Sequence, residues 1–157
     1  MYPFGDEVYA FAETGIIYKV NLETLETERK INFVNTIGIV THTSHPHVIN
    51  NGTVFNLALS FSKKGPVYHI VCFPNKARKD ITDYSMFDKA FVLASVPVRK
   101  MFCPSYMHSF GITENYFVII EQPLSITVPR MISTKLLKKP AHHLVQWHKN
   151  ETVKQCY

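Results

Sequence analysis

Short apolar runs rich in Val, Ile, Phe, Tyr and Thr recur along the chain, separated by small clusters of turn-forming residues. Runs of this length, alternating or briefly continuous, are the pattern of strands, because side chains of an extended backbone repeat every two residues. The pattern predicts strands over residues 7–14, 16–21, 27–33, 37–41, 53–62, 67–73, 91–96, 108–112, 116–121 and 144–147. Between them "ETG", "NNG", "KKGP" and "TEN" supply the Gly, Asn and Pro that tight turns need. The polar span 75–89 is a longer excursion, with a helical turn predicted in "ITDYSMFDKA". Residues 132–138 are the one other stretch with helical character, and the final "ETVKQCY" reads as a further strand.

So many short strands in 157 residues make this an all-β chain, built as a sandwich, a barrel or a propeller. Propeller blades are four-stranded meanders, so the strand count corresponds to about two and a half to three blades, whereas a closed ring takes about four to eight. On that reading residues 1–157 form a single partial propeller domain, a fragment or truncated product whose last strand is an unprotected edge.

Composition narrows the class further. With 46% hydrophobic and 18% charged residues the chain has ordinary globular composition. Its longest apolar runs, 66–73 and 116–120, are far shorter than the roughly 20 residues of a membrane-spanning helix. The N-terminal "MYPFGDEVYAF" lacks the basic-then-apolar pattern of a signal peptide, which makes a cytoplasmic location the expectation. Cys72, Cys103 and Cys156 are odd in number and widely spaced, the pattern of reduced thiols and not of a disulfide framework or a zinc ribbon. The net charge of +5 concentrates at Arg99-Lys100 and in "PRMISTKLLKKP". That segment reads first as a solvated face; its alternative is peripheral contact with an anionic membrane through the interleaved Met131, Ile132, Leu136 and Leu137. No nucleic-acid-binding motif accompanies the charge, so nucleic acid is not an expected partner.

The candidate chemistry lies in the histidines. "THTSHPHVINNGTVFNLALSF" crowds His42, His45 and His47 into six residues. Residues two apart in an extended segment share a face, so His45 and His47 turn the same way unless Pro46 redirects the chain, while His42 faces oppositely. Neutral imidazole is a general ligand for iron, copper, zinc and nickel, and a His-x-His pair is a metal signal. The competing role is satisfaction of buried carbonyls. His108, in "PSYMHSFGITENYFVIIEQP", offers a second site beside Gly111, where a strand can start close to another backbone. His69 reads as a packed or edge residue in mid-strand, and His142, His143 and His148 as surface residues of a basic loop region. Glu13, in the apolar setting "YAFAETGIIY", is either a turn carboxylate beside Gly15 or an outer partner that orients a ligating imidazole.

The same residues carry a resemblance. "SHPHVINNGTVFN" resembles a family stretch A-H-P-H followed by D-G-T-x-Y/F-N, and "PSYMHSFGITENYFVIIEQP" is similar to P-S-Y-x-H-S-F-G-x-T-x-N-Y-x-V-x-x-E-x-P. "AETGIIYKVNLETLETERKINF" resembles the family's strand pair carrying T-E-T and D-P-E-T-L-E-T. The family is the carotenoid cleavage oxygenases, which include the animal β-carotene oxygenases and the retinal pigment epithelium isomerohydrolase, and the likeness runs from about Phe4 to Trp147. It implies a seven-bladed β-propeller with a non-haem Fe(II) held on its axis by four histidines. His45 and His108 match two of those ligands, His47 matches a neighbouring structural or outer position, and Glu13 matches an outer-shell glutamate. The implied reaction is oxidative cleavage of a polyene double bond by O2, of the β-carotene-to-retinal class, on a carotenoid or retinoid taken from a membrane. The remaining two ligands are not among His142, His143 and His148, which match none of the family's later ligand motifs. The alternative function is a truncated, catalytically inactive propeller fragment acting as a binding or non-functional product. A generic propeller interaction module is a weaker fit still, because the W-D and kelch repeat signatures are missing.

Overall fold

The computed structural model describes residues 1–4, 6–75 and 85–156. The first strands are β1 (Tyr2–Phe4), β2 (Glu7–Phe11), β3 (Ile16–Val20) and β4 (Thr27–Asn32), which pair in chain order as an antiparallel meander, the form of a propeller blade. A short helix α1 (Phe33–Ile37) leads to β5 (Thr41–His42), β6 (His47–Val48), β7 (Val54–Ser62) and β8 (Gly65–Phe73), and a 3₁₀ turn (Met86–Lys89) precedes β9 (Phe91–Pro97). These five strands form the second sheet, ordered β5-β7-β8-β9 with β6 also on β7. The third region contains β10 (Gly111–Ile112), β11 (Phe117–Glu121), β12 (Leu124–Ile126), helix α2 (Val128–Leu136), a 3₁₀ turn (Ala141–Leu144), β13 (Val145–Trp147) and β14 (Lys154–Cys156). There β10-β11-β14 and β12-β13 pair separately.

The long apolar runs of β7 and β8 arise because their sheet is covered on both faces, as continuous hydrophobic strands generally are. Val54, Ala58, Val71 and Phe73 pack on one side with Tyr9, Ile17, Phe33 and Phe87. Leu57, Leu59, Tyr68 and Ile70 pack on the other with Phe110 and Ile119. The second sheet is therefore the layer shared by both cores, and His45 lies in the segment that joins its strands β5 and β6.

Several elements differ from the expected ones. Residues 37–41 are not a strand: Asn32 caps α1 by accepting from Val34 N, and Gly38 closes the helix in the left-handed region at φ 72°. Strand pairing resumes only at Thr41. His108 precedes a strand instead of lying in one, since β10 begins at Gly111 and the chain before it is tied by Tyr106 N to Leu124 O at 2.8 Å. Helix α2 starts four residues earlier than expected, with Thr127 at its N-cap position and Pro129 in its first turn. Of the helical turn expected in "ITDYSMFDKA", Met86–Lys89 is 3₁₀ with Ser85 and Asp88 forming a capping box, and residues 81–84 lie outside the described residues. The short strands β1, β6 and β12 escape sequence reading because two or three residues carry no periodicity.

Candidate metal centre

His45 sits where a strand is interrupted. β5 and β6 pair with successive stretches of the same edge of β7, His42 opposite Ala58 and His47 opposite Phe55. Thr43 N still donates to the Leu57 carbonyl at 2.9 Å, and residues 44–46 leave the ladder between the two strands. Pro46 has no N–H to give to a ladder, so the break falls where the sequence cannot sustain one. The excursion is held in place from beneath by a buried amide. Thr43 Oγ1 donates to Asn56 Oδ1 at 2.7 Å, Asn56 Nδ2 donates to the Thr43 carbonyl at 2.9 Å, and His45 N donates to Thr43 Oγ1 at 3.1 Å. The backbone at His45 is thereby fixed while its ring stands exposed.

That ring meets His108, 63 residues away in sequence. The two Nε2 atoms lie 2.9 Å apart with ring centroids separated by 4.5 Å. Behind His108, its Nδ1 lies 2.5 Å from Glu13 Oε1, and the Tyr106 hydroxyl donates to Glu13 Oε2. A carboxylate only accepts, so Glu13 places the His108 ring proton on Nδ1 and leaves Nε2 with a free lone pair. Burial first, then the hydrogen bond and charge of Glu13, push the Tyr106 phenol up to about 12, and it stays a donor across the physiological range. On the far side, the Tyr2 hydroxyl lies 3.2 Å from His45 Nδ1.

Glu13 owes its position to the turn between β2 and β3. The turn docks on the segment after α1: Thr41 Oγ1 donates to the Glu13 carbonyl at 2.9 Å, and Gly15 is buried there. A Cβ on Gly15 would lie 2.6 Å from the Ile39 carbonyl oxygen, so only glycine allows the approach.

The other histidines go elsewhere. His47 turns toward the same segment as His45, but its Nε2 meets the Phe110 carbonyl oxygen at 2.8 Å and its ring lies edge-on to Phe110. His42 faces the opposite way into the first core, between Phe11 and Phe33, with Nδ1 on the Thr43 carbonyl at 2.9 Å and Nε2 unpartnered. Burial holds it below the ordinary histidine value, against a smaller opposing effect of that carbonyl. His69 is bracketed by the Ser60 and Ser95 hydroxyls at 2.6 and 2.8 Å. His142 borders a cavity, His143 is exposed, and His148 meets Ser125 Oγ at 2.7 Å. Cys72 is buried and Cys103 half-buried, both as free thiols.

Tyr106, Tyr2, Thr43 and Asn56 were not singled out in the sequence. Asn56 left one signal, an amide in the middle of the apolar run "VFNLAL", and Tyr106 another, two residues before a candidate ligand.

Two imidazole nitrogens on one first-row metal, with bonds of about 2.1 Å at right angles, stand about 3 Å apart. The Nε2 atoms of His45 and His108 have that separation, and the chemistry of the pair, neutral nitrogen donors with one ring backed by a carboxylate, suits a borderline metal such as ferrous iron. Among the described residues no group of three or more His, Cys, Asp or Glu side chains converges in a ligating arrangement, so the pair is a partial ligand set. Beside Glu13 and Tyr106 opens a cavity of about 450 Å³, walled largely by apolar side chains that include Leu57, Leu59, Met107 and Leu124.

Comparison with known proteins places the chain in a family. The sequence model described as retinal pigment epithelial membrane protein matches residues 1–155. A carotenoid isomerooxygenase of Galleria mellonella is 43% identical over 150 residues, which cover 96% of this chain and 28% of that protein. A β,β-carotene 15,15'-dioxygenase of Gallus gallus is 33% identical over 148 residues, covering 94% and 28%. The crystal structure of a Pseudomonas brassicacearum lignostilbene dioxygenase matches with a TM-score of 0.61 at 24% identity, over 94% of this chain and 27% of its own, and shares the propeller-like fold. The chain spans a little over a quarter of the length of these relatives. Its all-β meanders are thus part of a propeller, and the chain belongs to the retinal pigment epithelial membrane protein family, the carotenoid oxygenases.

Proposed function

We propose that this chain is part of an Fe(II)-dependent dioxygenase that cleaves a double bond of a carotenoid with O2, the reaction class of β-carotene to retinal. The observation that carries the reading is the facing pair His45 and His108 at 2.9 Å, with Glu13 behind the second ring. Bound between them, ferrous iron would supply the O2 chemistry. The protein's own residues set the terms for it. Glu13 keeps His108 Nε2 free of a proton, Tyr106 holds the second carboxylate oxygen in place, and the Thr43–Asn56 network fixes the backbone that presents His45. The apolar cavity beside Glu13 and Tyr106 suits an uncharged polyene and disfavours water. His47 acts by fixing the Phe110 carbonyl, which holds the two histidine-bearing segments together.

With two of the four histidines that the resemblance implies lying in these residues, turnover is expected only where a complete ligand set is assembled. The reading is tested by iron content in a protein that carries this chain. His45→Ala and His108→Ala should each abolish iron binding, and Glu13→Gln should weaken it roughly 10- to 100-fold. Wild-type iron content in either alanine variant overturns the metal assignment. Iron-loaded protein that yields no aldehyde from β-carotene and O2 overturns the substrate class instead.

A further inference from the structure

The segment that carries His108 begins extended and pairs along one edge. Tyr106 N donates to the Leu124 carbonyl at 2.8 Å and Ile126 N to the Pro104 carbonyl at 2.9 Å, so residues 104 and 106 turn these polar groups toward β12. Between them Ser105 lies opposite Ser125, and the alternation of an antiparallel ladder points the N–H and carbonyl of Ser105 the other way. Ser105 is buried, so that N–H needs a partner from within the protein. The partner comes from across the second core: the Tyr68 hydroxyl accepts from Ser105 N at 2.8 Å.

Tyr68 stands in the middle of β8, 1% exposed, in the core with Leu57, Leu59 and Ile70. A phenol buried in such a run is unfavourable unless its hydroxyl is bonded, and this one is engaged by a backbone amide 37 residues away. A second side chain holds the next residue. Gln122 Nε2 donates to the Tyr106 carbonyl at 2.7 Å, while Ser105 Oγ donates to the Gln122 carbonyl and accepts from Gln122 N, each at 2.9 Å. Beyond His108, the Phe110 carbonyl meets His47 Nε2 at 2.8 Å. His108 thus sits in a short span fixed at both ends, and its near end is tied to β8. His45 is tied through Thr43 and Asn56 to β7, the strand paired with β8, where Leu59 lies opposite Tyr68. The same pair of strands therefore sets the positions of both rings.

We propose that Tyr68 is a positioning residue for His108, acting through Ser105, with Gln122 as the second point of attachment. The proposal rests on the reading of His45 and His108 as metal ligands. Ligands serve a metal only when held within about 0.5 Å of the required geometry. Glu13 orients the His108 ring, but a well-oriented ring can still stand too far from its partner. Its distance is set by the backbone that Tyr68 and Gln122 hold.

The experiment compares ferrous-iron affinity, by competition with a chelator, and urea stability in a protein that carries this chain. Tyr68→Phe keeps the ring in the core and leaves Ser105 N–H without its acceptor. Gln122→Met keeps the length of a half-buried side chain and removes its donor. Ile70→Val is the control, the loss of one methyl group from the same core with no polar contact. Tyr68→Phe and Ile70→Val should both lower the urea midpoint. Tyr68→Phe and Gln122→Met should each weaken iron binding about 3- to 10-fold, less than the loss of a residue that touches a ligand directly, while Ile70→Val leaves it unchanged. In metal-free protein both polar variants should shift the His108 ¹⁵N resonances and leave those of His45 in place. Iron affinity unchanged in both polar variants, or reduced as much by Ile70→Val, overturns the proposal. Should Tyr68→Phe fail to fold, Gln122→Met decides by the same two readouts. Wild-type protein that binds no iron overturns the metal assignment instead, and His108 resonances indifferent to both polar variants then overturn the positioning role as well.

Discussion

At the scale of single residues, His42 and His45 show how one turn of alternation separates two fates. They are three positions apart in the same interrupted strand, yet His45 stands exposed beside His108 and His42 is buried between Phe11 and Phe33. The Thr43 carbonyl only accepts, so His42 carries its proton on Nδ1 and leaves a buried, unpartnered lone pair on Nε2. An unpaired buried acceptor costs about 1–3 kcal/mol, and protonating it in that setting would cost more. Burial lowers the folded-state value of His42 below the 6.5 of a free histidine. The unfolded chain therefore takes up a proton at a pH where the folded chain does not. Stability from this source is complete above about pH 6.5 and is lost as pH falls through the folded value. His69, lowered by burial as well, adds the same sign. Urea midpoints should fall between pH 7.5 and pH 5, and His42→Phe should reduce that drop without removing it. The Thr43 carbonyl keeps Asn56 Nδ2 at 2.9 Å in the variant, so no new unpaired group arises there. Equal pH dependence in wild type and variant would remove His42 from this account.

At the scale of elements, the turn between β2 and β3 and the segment after α1 form one joint. Phe33 N donates to the Gly15 carbonyl at 2.8 Å, Thr41 Oγ1 donates to the Glu13 carbonyl, and Gly15 lies against Ile39. Gly15→Ala forces a Cβ to within 2.6 Å of a backbone oxygen, which must move. The expected cost is about 1–3 kcal/mol, typical of overpacking in a tight site. Glu13, two residues away, should move with it, so iron affinity should fall too. Gly38→Ala is the contrast: φ there is 72° with nothing within 4 Å, so it should cost about 1 kcal/mol of backbone strain and leave iron affinity intact. Urea titration with iron content measured on both variants separates the two. This joint also marks where the sequence stopped being informative. The long strands β7 and β8 were legible to within two residues at either end, because two covered faces write an unbroken apolar run, and β9 was as legible from its Val, Phe and Leu composition although it lies largely exposed. Residues 37–41 misled because Ile37, Ile39 and Val40 have strand composition, while Asn32 and Gly38 decide the conformation by capping a five-residue helix. His45, His108 and Glu13 stood out by residue type and motif. Their joining did not, since the contacts bridge 63 and 95 residues and leave no periodic trace. Tyr2 was invisible for the same reason, and Tyr106 left no more than its place two residues before His108.

At the scale of the whole molecule, the proposed polyene substrate would need a route from a membrane to the cavity beside Glu13. The basic segment offers one. No helix among the described residues is long and apolar enough to cross a membrane. In and after α2, Leu136 is 76% exposed and Leu137 62%, followed directly by the exposed Lys138 and Lys139. Two large apolar side chains left in water beside two ammonium groups are the elements of an interfacial anchor: leucines enter the acyl boundary while the lysines meet anionic headgroups. The next residues fold back as the 3₁₀ turn that contributes His142 and Leu144 to the cavity wall, so an anchor here would set the cavity near the lipid. We predict binding to vesicles of phosphatidylcholine with phosphatidylserine, weakening as salt rises because each lysine near an anionic surface contributes about 1 kcal/mol that counterions screen. Leu136→Asp with Leu137→Asp should reduce binding at every salt concentration, whereas Lys138→Gln with Lys139→Gln should mainly flatten the salt dependence. Vesicle co-sedimentation distinguishes them. If both double variants sediment like the wild type, the segment is a solvated face.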